Sequence, residues 1–265
     1  FLDIARMEGN NVQRHKTGNI AKLLSQTKDQ EAKFIIRSLG GNLGVGSARS
    51  TILVSLGRCY RWKETFMGLK ENPDEEELKQ AGKKFKKIFN RFPLIDQIIN
   101  KMNEGGFKLV NEECNIVPGI PCSAMLAKPA KSTQEIKSKI GDHPITCEYK
   151  YDGERAQIHK TKGGKVQIFS RASKESTLQF EEVKPLIQQN VDAEDFILDS
   201  EIVAYDHQKG YILPFQTLMH RPKKGSGDEP SPIQVCVFAF DVLYVNGESF
   251  IEKPLRERRE KLHQI

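Results

Sequence analysis

Hydrophobic residues recur every three or four positions through the N-terminal part of the chain. Phe1, Leu2, Ile4 and Ala5 open on that spacing. Ala32, Ile35, Ile36 and Leu39 repeat it, as do Ile52, Leu53 and Leu56. Asn72-Pro73-Asp74-Glu75-Glu76 has the form of a helix start: a capping residue, a proline in the first turn, then acids beside the positive end of the helix dipole. The helix it opens runs through Lys83-Lys84-Phe85-Lys86-Lys87-Ile88-Phe89 and must stop near Pro93. Leu94, Ile95, Ile98, Ile99 and Met102 predict another, ended by Gly105-Gly106.

The pattern changes at Pro118-Gly119-Ile120-Pro121, a stiff, non-helical connector and the best candidate for a domain boundary. Beyond it, short stretches rich in β-branched and aromatic residues predict strands over 145–151, 156–159, 166–169, 196–205 and 235–245. A helix is expected over 177–190, and 226–232 reads as a polar loop. The expected architecture is an all-α module joined to an α+β module.

Composition narrows this only a little. The 265 residues carry 41 Lys+Arg against 35 Asp+Glu, a formal charge of +6, and are 38% hydrophobic. That length fits one large domain or two ordinary ones. No run approaches the roughly 18 apolar residues of a membrane span. The start at Phe1, with no initiator Met and no apolar signal region, leads us to expect a fragment without a secretory leader. The charge permits a polyanionic partner without requiring one. Five cysteines form no Cys-x-x-Cys pair and six histidines show no ligand spacing, so neither a disulfide framework nor a zinc site is expected, and a reducing compartment is.

The chemistry concentrates in Glu148-Tyr149-Lys150-Tyr151-Asp152-Gly153-Glu154-Arg155. A lysine closing an apolar strand can project into a pocket, partly desolvated, and act as a nucleophile. Asp152-Gly153 then turns the chain so that Arg155 returns to the same pocket, where a guanidinium can hold phosphate or ribose oxygens. The same residues also describe the rim of a β-hairpin with solvated charges. Three later strands tip the balance. Phe169-Ser170-Arg171 ends the first with a cation, Ile197-Leu198-Asp199-Ser200-Glu201-Ile202 places carboxylates inside an apolar second, where an unpaired charge is costly, and Val237-Phe238-Ala239-Phe240-Asp241 adds an aromatic and an acid to the third. Nucleophile, phosphate clamps, hydroxyl acceptor and stacking face are the groups a nucleotide needs.

In this order the residues resemble the covalent nucleotidyltransferases. Lys150-Tyr151-Asp152-Gly153-Glu154-Arg155 is similar to motif I, Ser170-Arg171 to motif Ia, Asp199-Ser200-Glu201 to motif III and Phe240-Asp241 to motif IIIa. Three further stretches resemble the eukaryotic ATP-dependent DNA ligases: Pro118-Gly119-Ile120-Pro121 with Met125-Leu126-Ala127-Lys128-Pro129, then Pro214-Phe215-Gln216, then Asn246-Gly247-Glu248-Ser249 with Pro254-Leu255 and Arg258-Arg259. In the helical half, Ala32-Lys33-Phe34-Ile35-Ile36-Arg37-Ser38-Leu39 and residues 41–46 resemble the family's DNA-binding domain.

The resemblance implies a multidomain α and α+β fold. Residues 1–117 would be the C-terminal part of a helical DNA-binding domain, and 118–265 the N-terminal part of an ATP-grasp-like adenylation (nucleotidyltransferase) domain. It implies ATP and Mg²⁺ as cofactors and nicked double-stranded DNA as partner. Lys150 would be the catalytic nucleophile that takes AMP from ATP. Glu148 would accept the adenine amine, Arg155 and Arg171 would bind ribose and phosphate oxygens, Glu201 would hold a ribose hydroxyl or sit near the metal, and Phe240 would stack on adenine. DNA would be met by Phe215 at the nick, by Arg221, Lys223 and Lys224 on nearby backbone, and by Arg37, Gly41, Asn42, Gly44 and Gly46 along the minor groove, where exposed amides bind phosphates without reading sequence. The family usually carries arginine near Asn42 and Gly44, and this chain does not, so a weaker grip is expected there.

The resemblance further implies a nuclear monomer acting in replication, repair and recombination, without a membrane, and reaching a sliding clamp through regions outside this sequence. The family's motifs IV to VI and its OB domain would follow Ile265, so the polypeptide alone is expected neither to adenylate itself efficiently nor to seal nicks. RNA ligases and mRNA-capping guanylyltransferases share the Lys-x-Asp-Gly core, but Glu148 and the helical half argue against both. A non-catalytic DNA-binding piece is the alternative of another class.

Overall fold

A computed structural model describes residues 3–4, 7, 11–41, 48–221 and 233–265. The chain divides into two compact units, Phe1–Ile52 and Leu53–Ile265. The first contains helices Val12–Ser25 and Glu31–Leu39, the latter matching its predicted spacing.

The second unit opens on the remainder of helix Arg49–Phe66, followed by helices Glu75–Arg91 and Ile95–Glu113. Asp74, not the expected Asn72, caps helix Glu75–Arg91: its carboxylate accepts the Glu77 N–H at 2.7 Å, which leaves Pro73 before the first turn. Leu53, Ala81, Phe85, Ile88, Ile98, Met102, Phe107 and Val110 form one buried cluster between the helices. The glycine pair does not end helix Ile95–Glu113. Gly106, at φ +63° and ψ −156°, breaks the geometry for one residue, and the chain then returns to helix through Glu113. Glycine tolerates that conformation, and resuming the helix lets Phe107 and Val110 join the cluster.

The sheet is antiparallel and built from β1 (Glu154–Lys160), β2 (Val166–Ser170), β3 (Phe196–Asp206), β4 (Tyr211–Ile212), β5 (Gln234–Val245) and β6 (Glu248–Ser249). Its order is β2-β1-β3-β5-β6, with β4 on the far end of β3. The predicted strand over 145–151 is absent: among the described residues, the segment pairs with no strand of the sheet. Both edges of β1, the strand it leads into, are already taken by β2 and β3. The helix expected over 177–190 begins only at Val183. Before it the chain advances through three-residue turns, Phe180 N–H to Thr177 O at 3.3 Å and Val183 N–H to Phe180 O at 3.0 Å, which deliver the Phe180 ring into the core.

Alternation along β1 and β3 divides the sheet into two faces. Ala156, Ile158, Ile168, Phe196, Leu198, Ile202 and Val242 pack with Phe180, Val183 and Ile187 into the larger core. Burial contributes roughly 1.5–3 kcal/mol for each such large side chain. The residues between them, Arg155, Gln157 and His159 on β1 and Asp199 and Glu201 on β3, point to the opposite face. There the connector is pinned by main-chain hydrogen bonds. Gly119 N–H donates to His159 Nδ1 at 3.0 Å, Cys122 N–H donates to Gln157 Oε1 at 3.2 Å, and Gln157 Nε2 donates back to Cys122 O at 2.8 Å. Because Nδ1 accepts, the His159 proton sits on Nε2, 3.3 Å from Gln157 Oε1. Burial pushes the imidazole pKa down to about 3. Among the described residues no helix is long and apolar enough to cross a membrane.

Candidate active site

Lys150 stands in the unpaired segment just before β1. It is exposed, so the strand-end desolvation expected of it is not found. Its neighbours fix it instead. The Tyr151 ring stacks on Phe238 of β5 with centroids 3.9 Å apart and planes 12° from parallel. Gly153 lies so close to β3 that an added Cβ would overlap the Ile202 carbonyl oxygen and meet Val203 Cγ1 at 2.8 Å. Its N–H donates to the Glu201 carboxylate. Burial pushes the Glu201 pKa up, opposed by that N–H and by the positive charges of Lys150 and Arg155.

Arg155 faces Glu201 across the β1–β3 ladder and reaches diagonally to Asp199. Nε donates to Oδ1 at 2.9 Å and Nη2 to Oδ2 at 2.6 Å, while Nη2 also meets Met125 O at 3.0 Å. The Asp199 side chain is only 2% exposed, and its burial raises its pKa against the pull of Arg155. The hydrogen bonds to Asp199 hold the guanidinium firmly charged.

Opposite Asp199 on β5 lies Asp241, and the next pair down is Ser200 with Ala239. Phe240 is therefore the extra residue of a β-bulge, left outside the ladder to β3, and such a bulge re-aims its side chain. The Arg155 guanidinium stands 5.4 Å from the Phe240 ring centroid. Helix Leu255–Leu262 holds the bulge from outside. Arg258 takes Asp241 in a two-point grip at 2.8 and 3.0 Å, and Arg259 Nη1 donates to the freed Phe240 carbonyl at 2.8 Å. The same Nη1 is 3.5 Å from Glu148 Oε1. A carboxylate, an aromatic face, a lysine and an arginine thus gather along one face of a single sheet, the chemical inventory of a purine nucleotide site.

Comparison with known proteins agrees in kind. The family model described as "ATP dependent DNA ligase domain" matches residues 124–265, more than half of the chain, and "DNA ligase N terminus" matches residues 1–57. The chain belongs to the ATP-dependent DNA ligase family. It is 37% identical to a DNA ligase 1 of Schizosaccharomyces pombe over 99% of this chain and 34% of that protein. A DNA ligase 1 of Arabidopsis thaliana is also 37% identical, over 100% of this chain and 34% of its own. A DNA ligase of Caldivirga maquilingensis is 35% identical over 100% of this chain and 41% of its own. The chain spans about a third of the length of the first two relatives. Among solved structures, the ligase domain of M. tuberculosis LigD aligns with 43% of this chain and 34% of its own at 24% identity and a TM-score of 0.36, too low to equate the folds.

Elsewhere in this ligase chain the remaining candidates are dispersed. Arg171 is exposed in the turn after β2. Phe215 opens the short helix Phe215–Met219 and is half-buried against the larger core. The Arg221 side chain is 10% exposed and ion-paired with Glu182. Arg37 is half-buried in the last turn of helix Glu31–Leu39, in the first unit, and Gly41 follows with φ +68°. Asn42, Gly44, Gly46, Lys223 and Lys224 lie outside the described residues. Among the described residues no group of three or more His, Cys, Asp or Glu side chains could hold a metal ion by itself. Sequence reasoning missed the Tyr151–Phe238 stack, the Gln157–His159 clasp and the work of Arg258 and Arg259, which carried the resemblance without a role. Phe238, two residues from Phe240 and so on the same strand face, was the available signal for the first.

Proposed function

We propose that this ligase chain supplies the nucleotidyl-transfer site, and part of the DNA grip, of an enzyme that seals nicks in duplex DNA. The observation that carries the reading is the meeting of the Lys150 loop, Glu201 and Phe240 on one sheet face, with Glu148 at its edge. Lys150 Nζ attacks the α-phosphorus of ATP, pyrophosphate leaves, and AMP stays on the lysine as a phosphoramidate. The AMP then passes to the 5′-phosphate at a nick, and the neighbouring 3′-hydroxyl displaces it to close the phosphodiester bond.

Glu148 accepts the adenine amine and Phe240 stacks on the ring, a contact type worth roughly 1–3 kcal/mol. Arg155, with Nε and Nη2 given to Asp199 and Met125, offers Nη1 to a ribose or phosphate oxygen, and Arg171 does the same from the β2 turn. A single carboxylate beside triphosphate oxygens suits Mg²⁺, which keeps most of its waters. Glu201 would be that carboxylate, and a bound ion would offset charge at the α-phosphate. Residues 1–117 are read as the end of a helical DNA-binding domain and 118–265 as the start of an adenylation domain. Phe215, Arg221, Lys223 and Lys224 on one side, and Arg37, Gly41, Asn42, Gly44 and Gly46 on the other, meet the nicked duplex. A nuclear monomer serving replication, repair and recombination, with a sliding clamp as partner, completes the reading.

The test is Lys150→Ala in the full-length protein. Labelled ATP should leave no AMP on the variant, while binding to a nicked duplex, followed by gel shift, stays close to wild type. Ligation by the variant would remove Lys150 from its assigned role.

A further inference from the structure

Arg259 occupies a position to which neither the family resemblance nor the proposed mechanism gives a role. Among the described residues, its Nη1 is the one group in contact with both residues assigned to the adenine base, at 2.8 Å from the Phe240 carbonyl and 3.5 Å from Glu148 Oε1. The two come from distant parts of the fold. Glu148 sits in the unpaired segment before β1, where no ladder fixes it, and Phe240 is the bulged residue of β5. Nothing in the sheet sets their spacing. The helix that presents Arg259 is itself anchored beside them, since Arg258, one residue earlier, grips Asp241 through both carboxylate oxygens and Lys253 O at 2.6 Å.

We propose that Arg259 is a specificity-determining positioning residue of the base site, holding the Glu148 carboxylate at a fixed distance from the Phe240 ring and so setting the preference for a purine that carries an amine, rather than a carbonyl, at position 6. A carboxylate accepts from an amine and is repelled by a carbonyl, but only when it is held in the plane of the stacked base. An unpaired segment cannot hold it there alone. Nη1 carries two hydrogens, one for each acceptor, and the planar guanidinium fixes their directions, whereas an ammonium on a flexible stem does not. The pairing also keeps Glu148 turned to the base before a nucleotide arrives, which is preorganisation of a recognition group. The inference rests on the proposed roles of Glu148 and Phe240.

The experiment measures lysyl-nucleotide formation on the full-length protein with ATP and with GTP, as kcat and KM for each, in wild type, Glu148→Ala, Arg259→Ala and Arg259→Lys. A hydrogen bond to a charged group of this kind corresponds to a factor on the order of ten or more in discrimination. Both Arg259 variants should raise the KM for ATP and lower the ATP:GTP ratio by roughly that factor, with kcat for ATP little changed, as expected when uniform binding is lost. Adding Arg259→Ala to Glu148→Ala should lower the ratio no further. A purely structural role predicts the reverse pattern, a lower kcat from less folded protein with KM and the ratio unmoved. Arg259→Lys keeps charge and bulk and guards against a variant that fails to fold. If Glu148→Ala loses discrimination while both Arg259 variants keep it, the inference is wrong and the base-site reading stands. If wild type takes no nucleotide, or Glu148→Ala still discriminates, the base-site reading falls and this inference with it.

Discussion

Tyr151 lies flat on Phe238, ring centroids 3.9 Å apart, so the residue after the candidate nucleophile is fastened to β5 although its own segment belongs to no strand. Aromatic pairs of this geometry contribute about 0.5–1.5 kcal/mol beyond burial. Tyr151→Ala should therefore release Lys150. Trypsin cleavage after Lys150 should quicken, and AMP transfer to the lysine should slow by roughly twofold to tenfold. Tyr151→Phe keeps the ring and should behave as wild type in both assays. Equal cleavage rates in all three proteins would count against the fastening.

Gly153→Ala tests the other side of the same loop. A methyl there would overlap the Ile202 carbonyl oxygen, so the loop must lift and its N–H must leave Glu201. Overpacking of this kind costs about 1–3 kcal/mol in stability. The larger effect should fall on chemistry, because displacing a nucleophile by about an ångström lowers rates on the order of a hundredfold. Single-turnover labelling with ATP, beside a thermal melt, separates the two. A melt shifted strongly with labelling intact would contradict a displaced nucleophile.

Asp199→Ala should destabilise the fold. It leaves the Arg155 guanidinium, 21% exposed, without the carboxylate that now holds two of its nitrogens. Breaking a largely buried pair from one side costs about 3 kcal/mol, so the melting temperature should fall by roughly 5–10 °C. Asp199→Asn retains an acceptor and should lose less. An alanine variant as stable as wild type would show that the pair adds nothing to the fold.

Acid should weaken the fold through His159. Buried and neutral, it takes a proton only near pH 3, whereas the unfolded chain takes one near 6.5. In that interval the unfolded state binds more protons, so stability falls as pH drops below about 6.5. The loss amounts to about 2 kcal/mol between pH 7 and pH 5. Asp199 and Glu201 have the opposite sign. Burial raises their pKa values, so the stability they add is present at low pH and lost as pH rises through the raised values. Comparing melts of wild type and His159→Gln at pH 7, 6 and 5 isolates the histidine. The variant should show the flatter profile, and parallel profiles would mean that His159 is not held neutral.

Much of the site face was legible in the two-residue period of β3. Reading Phe196-Ile197-Leu198-Asp199-Ser200-Glu201-Ile202 alternately sends Leu198 and Ile202 to the core and Asp199 and Glu201 to the other side. The start of helix Glu75–Arg91 was readable to within two residues, since the motif pointed to Asn72 as the cap with Pro73 in the first turn, whereas Asp74 caps it. Lys150 misled because Ile145 to Tyr151 has the composition of a strand, and composition does not reveal that both edges of the next strand are occupied. The bulge at Phe240 and its satisfaction by Arg259 could not be read either. They depend on a residue nineteen positions away meeting a carbonyl that only the register slip sets free.

The clasp between the connector and β1 fixes something that side-chain identity does not. Gly119 and Cys122 are held through main-chain groups, by a histidine and a glutamine two residues apart on one strand. The spacing between those backbone contacts must therefore match the pitch of β1. Exchanging Ile120 or Pro121 for residues of similar shape leaves the match untouched. Inserting or deleting one residue between Gly119 and Cys122 moves both contacts out of register at once. This short stretch acts as a ruler whose length, more than its composition, is constrained.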